Sequence, residues 1–262
     1  IGYKWATSVQ LATRIQTMLH TRDFAALPGH TRFWLELQDE VSRMPQPSRL
    51  LIETFPRDGR SHVALYGFCG RNAHQTLALL VTKGMEEAGL DPLGFVATDY
   101  ATLIWGLTPV PDVARFLRHD GIHDALESWL KGNAVMKRTF RNSAIIAGLI
   151  DRNFPGKRSS GKQATFSSDI LYDTLHRYDP DHLMLKITEE EAMRGHIDFG
   201  RVELLLETVE DRIDQVDLDR VTPLAAPLFL EMGKVPIKGR AESRLIEEEA
   251  AQLMAEAGLT LE

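Results

Sequence analysis

Residues 50–68 read "LLIETFPRDGRSHVALYGF", and the way this stretch folds sets the class of the whole chain. The run 50–55 is short, apolar and strand-like, and "PRDGR" ends it. Asp58 and Gly59 are the residue types that a two-residue hairpin turn with positive φ requires. Beyond the turn Val63 and Leu65 alternate with Ala64 and Tyr66, so the whole stretch reads as a β-hairpin. Gly70, Arg71 and Asn72 then break the strand, with Asn72 as a cap, and "AHQTLALLVTKGMEEAG" runs apolar at Leu77, Leu80 and Val81 until Gly89 closes a helix. "PLGFVATDYATLIWGL" makes a second hairpin around Asp99 and Tyr100. The order ββαββ predicts an α+β fold: an antiparallel sheet of two hairpins with a helix packed on one face.

Past residue 111 the pattern turns mainly helical, so the chain is expected to divide near 108–112 into a sheet-bearing subdomain, 1–110, and a mainly helical one, 111–262. A helix over 133–150 is the clearest element of the second part. At 100° per residue Lys137, Arg138 and Arg141 share one sector, while Val135, Met136, Phe140, Ile146, Leu149 and Ile150 fall on the other side. A basic loop, "DRNFPGKRSSGKQATFSSD", follows, with Pro155, Gly156 and Gly161 as breakers and mobility expected of it. Ser167 or Ser168 is placed to cap the next helix, and Thr188 with Glu191 forms a capping box for a short helix stopped by Gly195. Amphipathic helices are expected over 201–216 and 241–257. The proline-rich "RVTPLAAPLFLEMGKVPIKG" between them reads as an irregular apolar connector.

With 262 residues and 44% hydrophobic content, the chain has the makings of a core. It contains no apolar run of about 18 residues, and "IGYKWATSVQ" lacks the order of a signal peptide, so a soluble, cytoplasmic protein without a membrane partner is expected. The single cysteine, Cys69, fits a reducing compartment and reads as a buried structural thiol. An opening without Met that reads as mid-domain sequence suggests a fragment of something longer.

Charge is distributed unevenly. The chain carries -7 overall, yet Lys131, Lys137, Arg138, Arg141, Arg152, Lys157, Arg158 and Lys162 face only Asp151 within 131–162. That local excess of seven leaves -14 for the rest. A positive patch on an acidic body binds a polyanion locally while the remainder repels it, which orients the encounter.

Catalytic signatures are missing. "VTKGMEEAG" lacks the glycine spacing and the hydroxyl of a phosphate-binding P-loop, and "DPDH" (179–182) follows a helix end instead of an apolar strand. The nine histidines form no H-E-x-x-H pair, and no G-x-S-x-G elbow occurs. Asp179, Asp181 and His182 could share a divalent ion, but turn and cap hydrogen bonds account for them better, so no catalytic residue, metal or cofactor is assigned to this chain.

Three elements are candidates for contact with nucleic acid. The first is Lys137, Arg138 and Arg141 with Lys157, Arg158 and Lys162, where each phosphate neutralised would release counterions. The second is the helix start at "GRNAHQ", with Arg71 and His74 beside free N–H groups. The third is "YKWATS", where Lys4 beside Trp5 offers a cation and a stacking face.

Three long stretches also carry a family likeness: "LLIETFPRDGRSHVALYGFCGRNAHQTLALLVTKGMEEAGLDPLGFVATDYATLIWGL", "GNAVMKRTFRNSAIIAGLIDRNFPGKRSSGKQATFSSDILYDTLHRYDPDHLM" and "RVTPLAAPLFLEMGKVPIKGRAE". They resemble the DEAD/H-associated region of large helicase-related (Lhr-type) proteins, in particular the ligase-associated DExH-box DNA helicases of bacterial DNA damage response. The resemblance implies a parent that uses ATP and Mg in two RecA-like domains, carries a winged helix, and translocates 3′ to 5′ on single-stranded DNA. For this segment it implies an accessory C-terminal domain packed on the motor and helping to form the channel for the tracking strand. A DNA or RNA–DNA duplex and a repair ligase or nuclease are the other implied partners. The P-loop, the D-E-x-H box and the arginine motif of such motors are absent here, so no ATPase residue carries over. A rival reading is a protein-interaction module that docks on the motor or on a repair partner.

Overall fold

Asp58 and Gly59 take φ of 52° and 69°, the paired left-handed geometry of a tight hairpin turn, and so join β1 (Leu50–Arg57) to β2 (Arg60–Tyr66). β1 and β2 pair antiparallel from Leu51 opposite Tyr66 to Arg57 opposite Arg60. This is the hairpin expected from the sequence. The computed structural model describes residues 7–117, 134–150, 153–154, 157–158, 161–210, 212–232, 252–253 and 255–258. Within them the chain forms two units, Ile1–Asp120 with Phe199–Glu262, and Gly121–Asp198.

In the first unit, helices α1 (Val9–Thr21) and α2 (Gly29–Val41) precede the hairpin, and α3 (Arg71–Glu87) follows it. The second hairpin is β3 (Pro92–Ala97) with β4 (Thr102–Gly106), again as expected. β4 pairs antiparallel with β2. The sheet is nevertheless mixed. After α7 (Phe199–Val209) the chain forms β7 (Ile213–Asp217), which lies parallel to β1, so the order is β3-β4-β2-β1-β7.

This corrects the helix expected over 201–216. Glu210 turns left-handed at φ 48°, and Arg212 donates from Nη2 to the Thr208 carbonyl at 2.8 Å, closing the helix end. The residues beyond pair with the free edge of β1, an interaction no local pattern reports. The chain thus re-enters the sheet well after residue 110, where the sheet-bearing part was expected to end.

Both faces of the sheet are covered, which is why β1 reads as a nearly unbroken apolar run. Leu51 and Phe55 with Ala64, Tyr66 and Leu103 join a cluster with Ala12, Leu19 and Leu35 of α1 and α2. This cluster also takes in Leu228 and Phe229 of α8 (Ala226–Met232). By strand alternation Ile52, Val63, Leu65 and Ile104 lie on the opposite face, and all are buried. α3 packs against β3 and β4, with Gly84 flat against the Phe116 ring and no room for a Cβ.

α8 itself overturns the expectation of an irregular connector. Pro227 occupies its second position, where a helix has no use for the missing N–H, and the Ala226 N–H is taken by the Thr222 carbonyl at 2.9 Å. The expected helix over 241–257 lies mostly outside the described residues.

The second unit contains α4 (Ala134–Ile146), a two-residue hairpin β5 (Asn153–Phe154) with β6 (Lys157–Arg158), α5 (Gly161–Tyr178) and α6 (Leu183–His196). α4 packs on α5 and α6 through Met136, Phe140 and Ala144, and the rings of Phe140 and Tyr172 meet edge to face at 5.3 Å. Left-handed Gly148 (φ 73°) terminates α4 before its expected end, so Ile146 is 87% exposed and Leu149 is also exposed, against their expected burial. The stretch read as a loop is a hairpin followed by helix. α5 starts at Gly161, so Ser167 and Ser168 lie inside it and cap nothing. Thr188 is likewise internal to α6, donating to the Met184 carbonyl at 2.6 Å, and His182 is the cap.

Candidate nucleic-acid interface

α4 presents two of its three cations along the flank that meets α5. Lys137 and Arg141 are one helical turn apart, and so are Asp169 and Asp173 on α5. The two pairs match in antiparallel register. Lys137 Nζ lies 2.7 Å from Asp173 Oδ2. Arg141 Nη2 lies 3.1 Å from Asp169 Oδ1, and its Nε donates to the buried hydroxyl of Ser168 at 2.8 Å. Two of the three cations expected to form a phosphate ladder are therefore already met by carboxylates. Arg138, on the neighbouring edge of the helix, is exposed and has no ion pair among the described residues. Lys157 and Arg158 make up strand β6, and Lys162 is the second residue of α5. Lys4 and Trp5 lie outside the described residues.

The helix start at Arg71 is built differently from the expectation. Gly70, at φ 91°, precedes α3, and Asn72 sits inside the first turn without capping it. The anion at this N-terminus is the chain's own: Asp99 Oδ1, from the β3–β4 turn, accepts from the N–H groups of Arg71 at 3.3 Å and Thr7 at 3.1 Å. His74 is not a ligand contact. It is fully buried, its Nε2 accepts from the Gly67 N–H at 3.1 Å, and its Nδ1 therefore donates to the Gly70 carbonyl at 3.0 Å. Burial lowers its pKa to about 4, against the opposing pull of hydrogen bonds at Gly70 and Thr98. His74 thus serves as an internal brace for the loop 67–70, whose Phe68 sits at φ 52° with its ring tilted against that of Tyr100 at 5.7 Å. Arg71 remains half-buried at the rim. Cys69 is half-buried, and its carbonyl accepts from Arg201 Nη1 at 3.3 Å.

A polar centre that sequence reasoning missed lies in the sheet. Glu53 of β1 has no exposed surface, and its carboxylate accepts four hydrogen bonds. Gln38 Nε2 and the Ser42 hydroxyl reach Oε1 at 2.8 and 2.6 Å. The Tyr66 and Thr222 hydroxyls each reach Oε2 at 2.6 Å. Burial first, then the Glu53 charge, hold the Tyr66 phenol well above its ordinary pKa. With every oxygen committed and no open surface, this cluster fastens α2, the hairpin and the segment before α8. Its signal in the sequence was an acid inside a run buried on both faces.

Elsewhere opposite charges meet. A cleft of about 370 Å³ at the hairpin tip sets Arg57 and Arg220 among Asp58, Asp219 and Glu256. His182 Nδ1 accepts from the Met184 N–H at 3.2 Å, and Asp181 pairs with Lys186 at 3.2 Å. Among the described residues no group of three or more His, Cys, Asp or Glu is arranged to hold a metal. None of the described helices is long and apolar enough to cross a membrane.

Comparison with known proteins adds a family. A family model described as DEAD/H associated matches residues 44–225. The ATP-dependent helicase Lhr-Core of Methanocaldococcus jannaschii is 19% identical over 222 residues, which cover 82% of this chain and 26% of that protein. The solved structure of Mycobacterium smegmatis helicase Lhr, bound to single-stranded DNA and AMP-PNP, superposes with a TM-score of 0.66 at 22% identity. That match covers 87% of this chain and 32% of the other. The chain therefore spans about a quarter to a third of the length of these relatives.

Proposed function

This chain belongs to the DEAD/H associated family, and we propose that it is the accessory C-terminal domain of an ATP-dependent, 3′-to-5′ single-stranded DNA translocase acting in DNA repair, where it helps to grip the tracking strand. RecA-like and winged-helix domains of the same polypeptide would supply ATP hydrolysis with Mg, for which this chain offers no P-loop. The observation that carries this reading is the family match together with likeness to a helicase that was solved with single-stranded DNA bound. The second unit supplies the contact chemistry. Arg138 is the exposed cation of α4, with Lys137 and Arg141 on either side of it along the helix, and Lys157, Arg158 and Lys162 follow in the chain within one hairpin and a helical turn. Arg71 is a further candidate at the rim of the first unit.

A phosphate contact made by a cation releases counterions, so the test is affinity against salt. Oligothymidylate binding to the full chain is compared with that of Lys137→Ala/Arg138→Ala/Arg141→Ala. The expected outcome is a shallower dependence of log K on log salt, by about two when three phosphates of a single strand are no longer neutralised. An unchanged slope removes α4 from the interface.

A protein-docking reading has its own support. The second unit leaves Phe166, Ile170, Tyr178 and Leu183 exposed, more apolar surface than so small a unit needs to show. Absence of oligonucleotide binding at physiological salt, with capture of the motor domains or of a repair ligase or nuclease, would favour it.

A further inference from the structure

We propose that Asp169 and Asp173 form a built-in competitor for phosphate, so that α5 latches the basic flank of α4 until a polyanion displaces it. This rests on the nucleic-acid reading of α4 given above, and it assigns that site a mode of regulation. Register is the first support. Two carboxylates one turn apart on α5 meet two cations one turn apart on α4, Lys137 with Asp173 and Arg141 with Asp169, presenting the cations with a row of negative charge as a nucleic-acid strand would.

The second support is accessibility. The side chains of Lys137, Asp173, Arg141 and Asp169 keep 28%, 60%, 25% and 36% of their surface open to water. An ion pair in that setting is weak and exchangeable. A phosphate arriving at the flank trades one anion for another, and the released carboxylates pass into solvent at little cost.

The third support is that the helices are held together by something else. Phe140 is fully buried, Tyr172 is nearly so, and their rings are in contact, while Ser168 secures Arg141 through Nε. Opening the two ion pairs leaves that apolar seam in place. Arg141 can then keep its bond to Ser168 while its other nitrogens turn from Asp169 to a phosphate oxygen.

The experiment measures fluorescein-labelled oligothymidylate binding across a salt series for the full chain, for Asp169→Asn/Asp173→Asn, and for the charge-matched control Asp179→Asn/Glu191→Gln at two exposed positions of the same unit. The latch predicts an affinity gain of about three- to tenfold for the first variant, with a steeper salt dependence, and a clearly smaller gain for the control. Adding Lys137→Ala/Arg141→Ala should erase the gain. Asp173→Asn alone, which leaves the Arg141 cluster untouched, should give part of it should the double variant fold poorly. Equal gains in variant and control, or no gain, overturn the latch while leaving the grip intact. If instead the triple alanine variant of α4 binds as the parent does, the grip itself fails and the latch falls with it.

Discussion

A carboxylate arrangement marks each unit, Glu53 in the first and the Asp169–Asp173 pair in the second, and the two are opposites. Glu53 in the first unit is sealed from water and satisfied by four neutral donors drawn from α2, the segment after it, β2 and the stretch before α8. Asp169 and Asp173 in the second unit stand half in solvent, opposite cations of a single neighbouring helix. A sealed acceptor is costly to disturb, because each donor that loses it stays desolvated. An open ion pair costs little to exchange, because water and salt stand ready to replace either partner. The first unit is therefore built to hold its shape, and the second to exchange partners.

The largest test of that contrast is Glu53→Ala. It strips three buried donors and the half-buried Ser42 hydroxyl of their acceptor and leaves a void in the sheet, so a loss of about 3–5 kcal/mol is expected. Glu53→Gln keeps the shape and should cost less, since hydroxyl groups can rotate to accept from the new amide. Hydrogen exchange of β1 and β2 amides reads the first unit separately from α4 and α5. A loss below about 1 kcal/mol in the alanine variant would make Glu53 an incidental guest of the core and not its fastening.

Acid acts through each buried histidine by a smaller step, and it too should be confined to one unit. His62 and His74 are both buried in the first unit, and desolvation brings each to a pKa of about 4. His62 stacks on Phe55 at 5.6 Å and lies 5.0 Å from the Phe229 ring, with Arg57 further disfavouring its charge. The unfolded chain takes up these protons near pH 6.5, whereas the folded chain refuses them until about 4. Stability present at neutral pH is therefore lost as pH falls through that window, by up to roughly 3 kcal/mol for each histidine. His62→Phe should flatten its share of the decline in urea midpoint between about pH 6.5 and 4. A flat pH profile in the parent protein would contradict the burial of both rings.

What could be read from the sequence divides along the same physical line. Both hairpins and α3 were legible because turn residues and apolar periodicity act within a few residues of each other. β7 was not, since a parallel partner is chosen by the free edge of β1 from more than a hundred residues away. α1 and α2 drew no expectation at all, although Ser8 caps the first through Leu11 at 3.2 Å. At the candidate site the cations of α4 stood out as a local cluster. Their carboxylate partners did not, because Asp169 and Asp173 become neighbours of Arg141 and Lys137 only once α4 and α5 pack antiparallel. His74 looked like a phosphate contact by its place near a helix start, and depth of burial made it a brace. Composition carries no information about depth.

The smallest predicted effect discriminates most sharply between the two regions. A double-mutant cycle on Lys137 and Asp173, using Lys137→Met and Asp173→Asn, should return a coupling of about 0.2–1 kcal/mol in low salt, because both groups are hydrated in the folded state and lose side-chain freedom when paired. That coupling should shrink further in about 1 M salt, where the screening length is shorter than the unit is wide. The matching cycle on Gln38 and Glu53 should exceed it and ignore salt, because no ion reaches a group without exposed surface. Equal couplings with equal salt response would mean that the α4 flank is as fixed as the core of the sheet, and a flank that fixed has no cations to offer a passing strand.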